Sequence, residues 1–214
     1  MEANTRVLGP EHPETLTSIN NLAVAYWDQG KYQEAEPLYT KVLEARRHVL
    51  GEEHPATLNS MNNLAALYRT ERRYSEAEAL ATKVLNVRRR VLGGEHRETL
   101  NSISNMARLF YEQRKYGQAE PLFIEALEVR RRVLGEEHPD TLTSMNSLAR
   151  LYQDQGEYGK AEPLFLQALE ARRRVLGAQH RDTLETAARL RQLYIDEGKQ
   201  EQAERLREAR HNLR

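Results

Sequence analysis

Hydrophobic residues near the start of the chain recur at steps of three and four positions, which is the spacing of one helix face. The stripe consists of Leu16, Ile19, Leu22, Ala23 and Tyr26. It predicts a first helix from about Pro13 to Gln29. Pro13 suits the first helical position, because the amide hydrogen that proline lacks would have no helical partner there.

A second stripe follows and predicts a second helix from about Tyr32 to Val49. Its members are Ala35, Leu38, Tyr39, Val42 and Leu43. Gly30 separates the two helices, and Gly51 and Pro55 end the second, because glycine and proline interrupt helices. Such a hairpin cannot bury both of its apolar faces alone, so we expect neighbouring hairpins to stack on it.

The same pattern returns along the whole chain at a fixed step of 42 residues. The tripeptide Val-Leu-Gly occupies residues 7–9, 49–51, 91–93, 133–135 and 175–177. A fixed period of this length indicates a repeat array rather than one globular core. We therefore predict a single repeat domain over residues 1–214, with units 7–48, 49–90, 91–132, 133–174 and 175–214, and with residues 1–6 as the remnant of a preceding helix.

The two ends of the array differ in pattern. Residues 2–8 align with residues 44–50, the tail of a second helix whose beginning is missing. We expect the chain to be the C-terminal piece of a longer array; the alternative is that the protein begins here and its first turn frays. In the last unit Arg207, Arg210 and His211 stand at apolar positions, which predicts a polar cap.

The spacing of Leu22-Ala23, Tyr26, Ala35, Tyr39 and Val42 resembles the tetratricopeptide repeat. The longer step and the motifs Asn-Asn-Leu-Ala, Gly-Lys-Tyr, Glu-Ala-Glu-Pro-Leu and Val-Leu-Gly-x-Glu-His-Pro resemble the 42-residue variant of kinesin light chains and many bacterial multidomain proteins. This resemblance implies an all-α fold, a right-handed superhelical solenoid of five tetratricopeptide-like helical hairpins. It does not imply one cellular role, because the same repeats serve unrelated systems.

Composition and charge exclude several classes of protein. The chain has no Cys, which excludes a disulfide framework and a thiolate metal site. It has no apolar stretch of the ~18 residues that span a bilayer. With 32 basic and 32 acidic residues it has no global attraction for nucleic acid or for a membrane. We therefore expect neither partner, and a cytoplasmic location.

One histidine per repeat precedes the first helix of each unit. Metal ligands must converge on one ion at about 2 Å, which side chains in successive repeats cannot do. We predict no metal site and a local role in capping or packing the turn. The histidines are His12, His54, His96, His138 and His180.

Arginine runs close the second helix in four units, at residues 46–47, 88–90, 130–132 and 172–174. Such a basic ridge could attract phosphate. Glutamates lie near the runs, and arginine also suits the negative end of a helix dipole. We interpret the runs as a solvated face.

No combination of nucleophile and base, and no glycine-rich phosphate loop, is present in the sequence. Carboxylates are abundant, but they repeat in register from unit to unit, whereas an active site occurs once. We therefore predict that the chain is not an enzyme and needs no cofactor.

The face of each first helix opposite its apolar stripe lines the concave surface in tetratricopeptide arrays, so the resemblance implies that it forms a ligand groove here. Asparagine recurs on this face although it is unfavourable inside helices. Its amide offers donors and an acceptor that match a peptide bond. The alternative is that these amides bridge neighbouring helices or are solvated. The candidate groove residues are Asn20, Asn21, Trp27, Asn59, Asn62, Asn63, Arg69, Asn101, Asn105, Arg108, Tyr111, Asn146 and Arg150.

From this pattern we predict a protein–protein interaction scaffold that binds an extended peptide in the groove. Basic and acidic positions on the predicted groove face nearly balance, so counting does not decide the charge of the ligand. The Arg108 and Arg150 pair weakly favours an acidic peptide, and Trp27 and Tyr111 favour an aromatic anchor. The alternative is a structural spacer or sensor module of a larger signalling protein that self-associates through its open N-terminal face.

Overall fold

The computed structural model of the protein describes the backbone of residues 9–211 and the side chains of residues 9–207. This range contains ten α-helices in five hairpins and no β-strand, which confirms the all-α repeat fold. The first helix of each hairpin, called the A helix, is α1 (Pro13–Asp28), α3 (Pro55–Thr70), α5 (Arg97–Glu112), α7 (Pro139–Asp154) or α9 (Arg181–Asp196). The second, the B helix, is α2 (Tyr32–Leu50), α4 (Tyr74–Leu92), α6 (Tyr116–Leu134), α8 (Tyr158–Leu176) or α10 (Gln200–His211).

The helix bounds predicted for the first repeat agree with the structure to within one residue at each end. Two predictions concern parts of the chain outside the described range. These are the remnant helix at residues 1–6 and the side chains of Arg210 and His211 in the polar cap. Arg207, the third member of the predicted cap, is exposed.

The helices group into two compact units, the first ending at Gly94 and the second beginning at Glu95. In the first unit α1 pairs with α2, α3 pairs with α4, and α2 also packs on α3. The largest fully buried side chains there are Tyr39, Met61 and Leu67. Ala23 and Ala35 are 0 % exposed, because small side chains allow the paired helices to approach closely.

The second unit repeats this arrangement over three hairpins. The pairs are α5 with α6, α7 with α8, and α9 with α10, and each B helix that has a following A helix packs on it. Ala149 and Ala161 are again completely buried between paired helices, beside the fully buried ring of Phe165. In this unit α7 and α9 therefore each pack between two B helices. The buried residues form one continuous core along the unit.

The turn between the A and B helices requires a residue in the left-handed region. In the first repeat Gly30 fills it with φ 73°, and the next amide, of Lys31, donates to the carbonyl of Tyr26 at 2.9 Å. This is the six-to-one bond that satisfies a helix end. Arg72 and Arg114 occupy the same position with φ 62° and 59°. Arginine adopts this conformation at a cost of about 1 kcal/mol. The left-handed conformation is therefore set by the turn and not by a preference of the residue that occupies it.

The five repeated histidines each cap an A helix. In every repeat the Nδ1 atom accepts a hydrogen bond from the backbone amide two residues later, as His138 does from Asp140 at 3.1 Å. The backbone of each histidine is extended, as the residue before a helix requires. The structure therefore gives these histidines the capping role expected from the sequence.

The arginine runs are not simply a solvated face, so that prediction was wrong at one position in each run. The first arginine turns inward. Arg88, Arg130 and Arg172 are only 3 to 5 % exposed, and Arg46 is partly buried. The reason is that this position on the B helix faces the hydroxyl and amide groups of A helices, which supply enough acceptors to bury a guanidinium.

Arg130 shows how the buried arginine joins three helices. Its guanidinium donates to Ser144 Oγ at 2.6 Å on α7, and to Ser104 Oγ at 3.0 Å and Asn101 Oδ1 at 2.9 Å on α5. Arg172 repeats the arrangement, with Thr186 Oγ1 on α9 at 2.7 Å. One side chain thus fixes its own hairpin and the next one.

In the three runs of three arginines, the last arginine does lie in solvent and pairs with a glutamate of the loop before its own hairpin. Arg90 meets Glu53 at 2.5 Å, Arg132 meets Glu95 at 2.5 Å, and Arg174 pairs with Glu137. Exposed pairs of this kind contribute at most about 1 kcal/mol each to stability.

The described helices include none that is long and apolar enough to cross a bilayer.

Replacing a capping histidine tests its contribution to stability. We expect His138→Ala to lower the free energy of unfolding by about 1 kcal/mol, because the amide of Asp140 loses its acceptor. His138→Asn keeps a good N-cap acceptor and should stay close to wild type. Thermal unfolding followed by circular dichroism measures both, and equal losses in the two variants would contradict the capping role.

The buried and exposed arginines of one run predict opposite outcomes. Arg130→Ala should lower the free energy of unfolding by about 3 kcal/mol, because it opens a cavity and leaves buried acceptors without a donor. Arg132→Ala, on the same helix but exposed, should change it by no more than about 1 kcal/mol. Urea unfolding of the two variants and of wild type measures this difference in the free energy of unfolding. Similar urea midpoints for the two variants would show that the hydrogen bonds of Arg130 do not stabilise the fold.

Candidate functional site

The predicted groove residues of the first unit lie on α1 and α3, and part of their hydrogen-bonding capacity is used internally. Asn63 Nδ2 donates to Asn20 Oδ1 at 3.0 Å, which links the A helices of consecutive repeats. Asn59 Oδ1 accepts from Arg88 at 2.6 Å. These contacts match the alternative in which asparagines bridge neighbouring helices, and they leave the amide NH₂ groups of Asn20 and Asn59 as donors.

Two asparagines of the first unit have no such engagement. Within the described range, the side-chain amides of Asn21 and Asn62 make no hydrogen bond, and Asn21 is exposed. Trp27 is partly buried and packs against the core of the unit, so part of its ring serves the fold. Arg69, at the end of α3, is also partly buried.

In the second unit the structure brings predicted residues together around one cavity of about 470 Å³. It lies within the volume range of protein ligand sites. Five of the candidate residues line it: Asn101, Asn105, Arg108, Tyr111 and Arg150. They come from α5 and α7, the A helices of two consecutive repeats.

Asn146 is the predicted residue of the second unit that does not line this cavity. Its Nδ2 donates to Thr186 Oγ1 at 2.9 Å, so it joins α7 to α9. Its Oδ1 is buried and has no hydrogen-bond partner among the described residues. Thr186 also accepts from Arg172, which makes the hydroxyl a shared point between an A helix and a B helix.

Tyr111 is the aromatic centre of the cavity. Its hydroxyl donates to Asp154, and the Arg150 guanidinium lies over its ring at 5.5 Å from the centroid. The Phe123 ring meets it edge-on at 6.4 Å. Burial first, and then the bond to Asp154, raises the pKa of Tyr111 to about 12, so the phenol is neutral at physiological pH.

Sequence reasoning missed four residues of the cavity wall. Phe123 and Arg130 come from the B helix α6, and Asp140 and Ser144 come from the first turns of α7. The signal for Arg130 was present, because arginine recurs at residues 46, 88, 130 and 172 with the step of 42 that marks structural positions. Because Arg130 stands in a run of three arginines, the sequence did not reveal that it is buried while Arg132 is exposed.

The described groups around the cavity are hydrogen-bonding and charged side chains, most of which also have contacts within the protein. The titratable groups near the cavity are arginines, tyrosine and carboxylates, and each carboxylate has a structural contact, such as Asp154 with Tyr111 or Asp140 with Arg97 at 3.9 Å. Hydroxyl groups of Ser144 and Ser147 donate to backbone carbonyls of their own helix. The chemistry on offer is therefore hydrogen bonding and charge.

Comparisons with known proteins agree with this architecture. The tetratricopeptide repeat family matches residues 1–48, 19–90, 71–123, 99–174 and 148–209. No curated protein sequence matches the chain significantly. A solved structure of a kinesin light chain-like protein of Podosopora anserina, with nearly identical TPR-like repeats, is 30 % identical over 94 % of this chain and 96 % of that chain, with a TM-score of 0.80.

More distant structures share the fold alone. BtubC (BKLC) from P. vanneervenii is 24 % identical, covers 97 % of this chain and 87 % of its own, and has a TM-score of 0.79. A Rap protein complexed with Competence and Sporulation Factor is 14 % identical over 96 % of this chain and 59 % of its own, with a TM-score of 0.73.

The family match, the relative at 30 % identity and the five observed hairpins lead to one assignment. The chain belongs to the tetratricopeptide repeat family, and its array is of the 42-residue kinesin light chain-like type.

Proposed function

We propose that the chain is a protein–protein interaction scaffold that binds an extended peptide segment along the groove face of its A helices. The observation that carries this proposal is the cavity of the second unit, because amide, hydroxyl and guanidinium groups from α5 and α7 converge on it. A peptide lying across successive A helices would meet the same types of group in each repeat. Binding must exceed the cost of ordering the peptide, so we expect an affinity of about 1 μM.

The internal contacts refine how the asparagines would hold a peptide. Asn59, Asn101 and Asn105 use their side-chain oxygens to accept from arginines. Their NH₂ groups then remain for a ligand, so these asparagines would donate to carbonyl oxygens of the peptide. Asn21 and Asn62, which are unbonded in the described structure, keep both a donor and an acceptor.

The Rap protein complexed with Competence and Sporulation Factor supports the general idea that this fold can hold a partner. The competing function is a spacer or sensor module that self-associates. Light scattering over a range of protein concentrations separates the two: a monomer that binds peptides supports the scaffold, and a dimer that binds none supports the spacer.

Asn62 offers the cleanest test of the asparagine row, because its amide has no structural bond in the described chain whereas Asn63 holds Asn20. Peptides selected on the wild-type chain from a random-peptide display library serve as probes. We expect Asn62→Ala to weaken their binding by about tenfold in fluorescence anisotropy, through the loss of one or two hydrogen bonds.

Asn86→Ala is the matched control, since Asn86 is an exposed asparagine of the B helix α4. It should leave peptide affinity and thermal stability unchanged. Unchanged affinity in Asn62→Ala, with a fold as stable as wild type, would remove Asn62 from the proposed peptide contact.

A further inference from the structure

The cavity of the second unit has a buried cation in its wall that no carboxylate pairs with. Arg130 is 5 % exposed, and all its hydrogen bonds go to neutral acceptors. Asp140 acts on it electrostatically, but Arg97, which lies 3.9 Å from that carboxylate, opposes the effect. Burial is the largest influence and lowers the pKa of Arg130, yet a guanidinium stays charged in proteins.

This buried charge changes the electrostatics of the groove. Counting exposed positions along the sequence gives a nearly balanced face, but Arg130 is absent from that count. The cavity is lined by three arginines, Arg108, Arg130 and Arg150, and by two carboxylates, Glu112 and Asp140. A positive charge held in a low-dielectric wall acts more strongly on a ligand than an exposed one does.

The arginines also orient the neutral groups as donors. Asn101 Oδ1 and Ser104 Oγ accept from Arg130, and Asn105 Oδ1 accepts from Arg108 at 3.3 Å. Within the described residues, the amide hydrogens of Asn101 and Asn105 and the hydroxyl hydrogen of Ser104 have no protein acceptor. Each of these three groups therefore keeps hydrogens that it can donate to a ligand.

Arg150 is another arginine of the cavity lining. Its Nε is buried without a hydrogen-bond partner in the described structure, while its guanidinium rests on the Tyr111 ring. Besides Arg130, whose hydrogen bonds go to the protein, the cavity combines the guanidiniums of Arg108 and Arg150 with the donor groups of Asn101, Asn105 and Ser104. Beside them, the Tyr111 and Phe123 rings form an apolar wall.

We infer that this cavity receives the phosphoryl group of a phosphoserine or phosphothreonine in the bound peptide. The inference rests on the proposed peptide-binding function. A carboxylate has two oxygens, whereas a phosphate monoester has three and carries nearly two negative charges at neutral pH, so it can use more of the convergent donors. The apolar wall suits the carbon atoms that connect the phosphate to its backbone.

Three degenerate peptide pools test this inference. All are acetylated and identical except for one central residue, which is serine, glutamate or phosphoserine, and their binding to the full chain is measured by fluorescence anisotropy. We expect the phosphoserine pool to bind about tenfold more tightly than the glutamate pool. Inorganic phosphate should compete with the phosphoserine pool and not with the serine pool.

Arginine variants locate the effect. Arg150→Gln should remove the preference for phosphoserine, so that the ratio of the affinities for the phosphoserine and glutamate pools falls from about tenfold to about one. Arg108→Gln, at an exposed position, repeats the test if the first variant is unstable. Arg189→Gln is the control, because Arg189 lies on α9 outside the cavity and faces Glu185 at 4.0 Å.

Each other outcome overturns the inference in a recognisable way. Equal affinity for the phosphoserine and glutamate pools assigns the cavity to a carboxylate, and the peptide-binding function stands. Equal affinity for all three pools removes the anion from recognition. If no pool binds to the folded chain, the proposed function fails together with the inference.

Discussion

A helical hairpin has two faces to bury and only one partner helix within itself, and the rest of this structure depends on how the second face is covered. The B helix meets this constraint by packing on the A helix that follows it, within each of the two compact units. Apolar packing alone only weakly prevents one helix from sliding along the axis of its neighbour. The buried arginine fixes the relative position of the helices, because its planar guanidinium fits only where hydroxyl and amide acceptors lie at the right positions.

The same arginine would link the fold to the proposed recognition of a peptide. It is needed where helices join, so its charge is present in the wall of the cavity whatever the ligand is. Asn101 Oδ1 and Ser104 Oγ accept hydrogen bonds from it, and the hydrogens of these two groups remain for a ligand. If the cavity binds a peptide as proposed, part of its binding chemistry is a by-product of stacking. Ligand preference would then be set at Arg108, Tyr111 and Arg150, whose positions carry different residues in other repeats.

The fold could be predicted almost completely from the sequence, because each element repeats five times and local signals agree with the pattern. Pro13, Gly30 and the alanines at 23 and 35 each predicted a feature that the structure contains. The cavity could be predicted only in part. Helix periodicity assigns a face to a residue, but it does not say whether Arg130 lies in solvent or reaches under the next helix. That distinction depends on Ser144, a residue 14 positions later.

The asparagines illustrate the same difficulty. Sequence alone left two readings open, a row that holds a ligand and a row that bridges helices. The structure contains bridging in Asn63 with Asn20 and in Asn146 with Thr186, and it contains unbonded amides in Asn21 and Asn62. Identical residue types at equivalent positions thus differ in their partners, because neighbouring positions differ from repeat to repeat.

The bonds of Arg130 and Arg172 reach forward by 14 positions to a hydroxyl of the following repeat, so every junction within the second unit is specified by the same short rule. A recombination event that inserts or removes one whole period of 42 codons would bring an identical arginine and an identical type of acceptor to the new junction. Arrays of this kind can therefore change their number of repeats in a single genetic step, and the length of partner that they span becomes an easily evolved property.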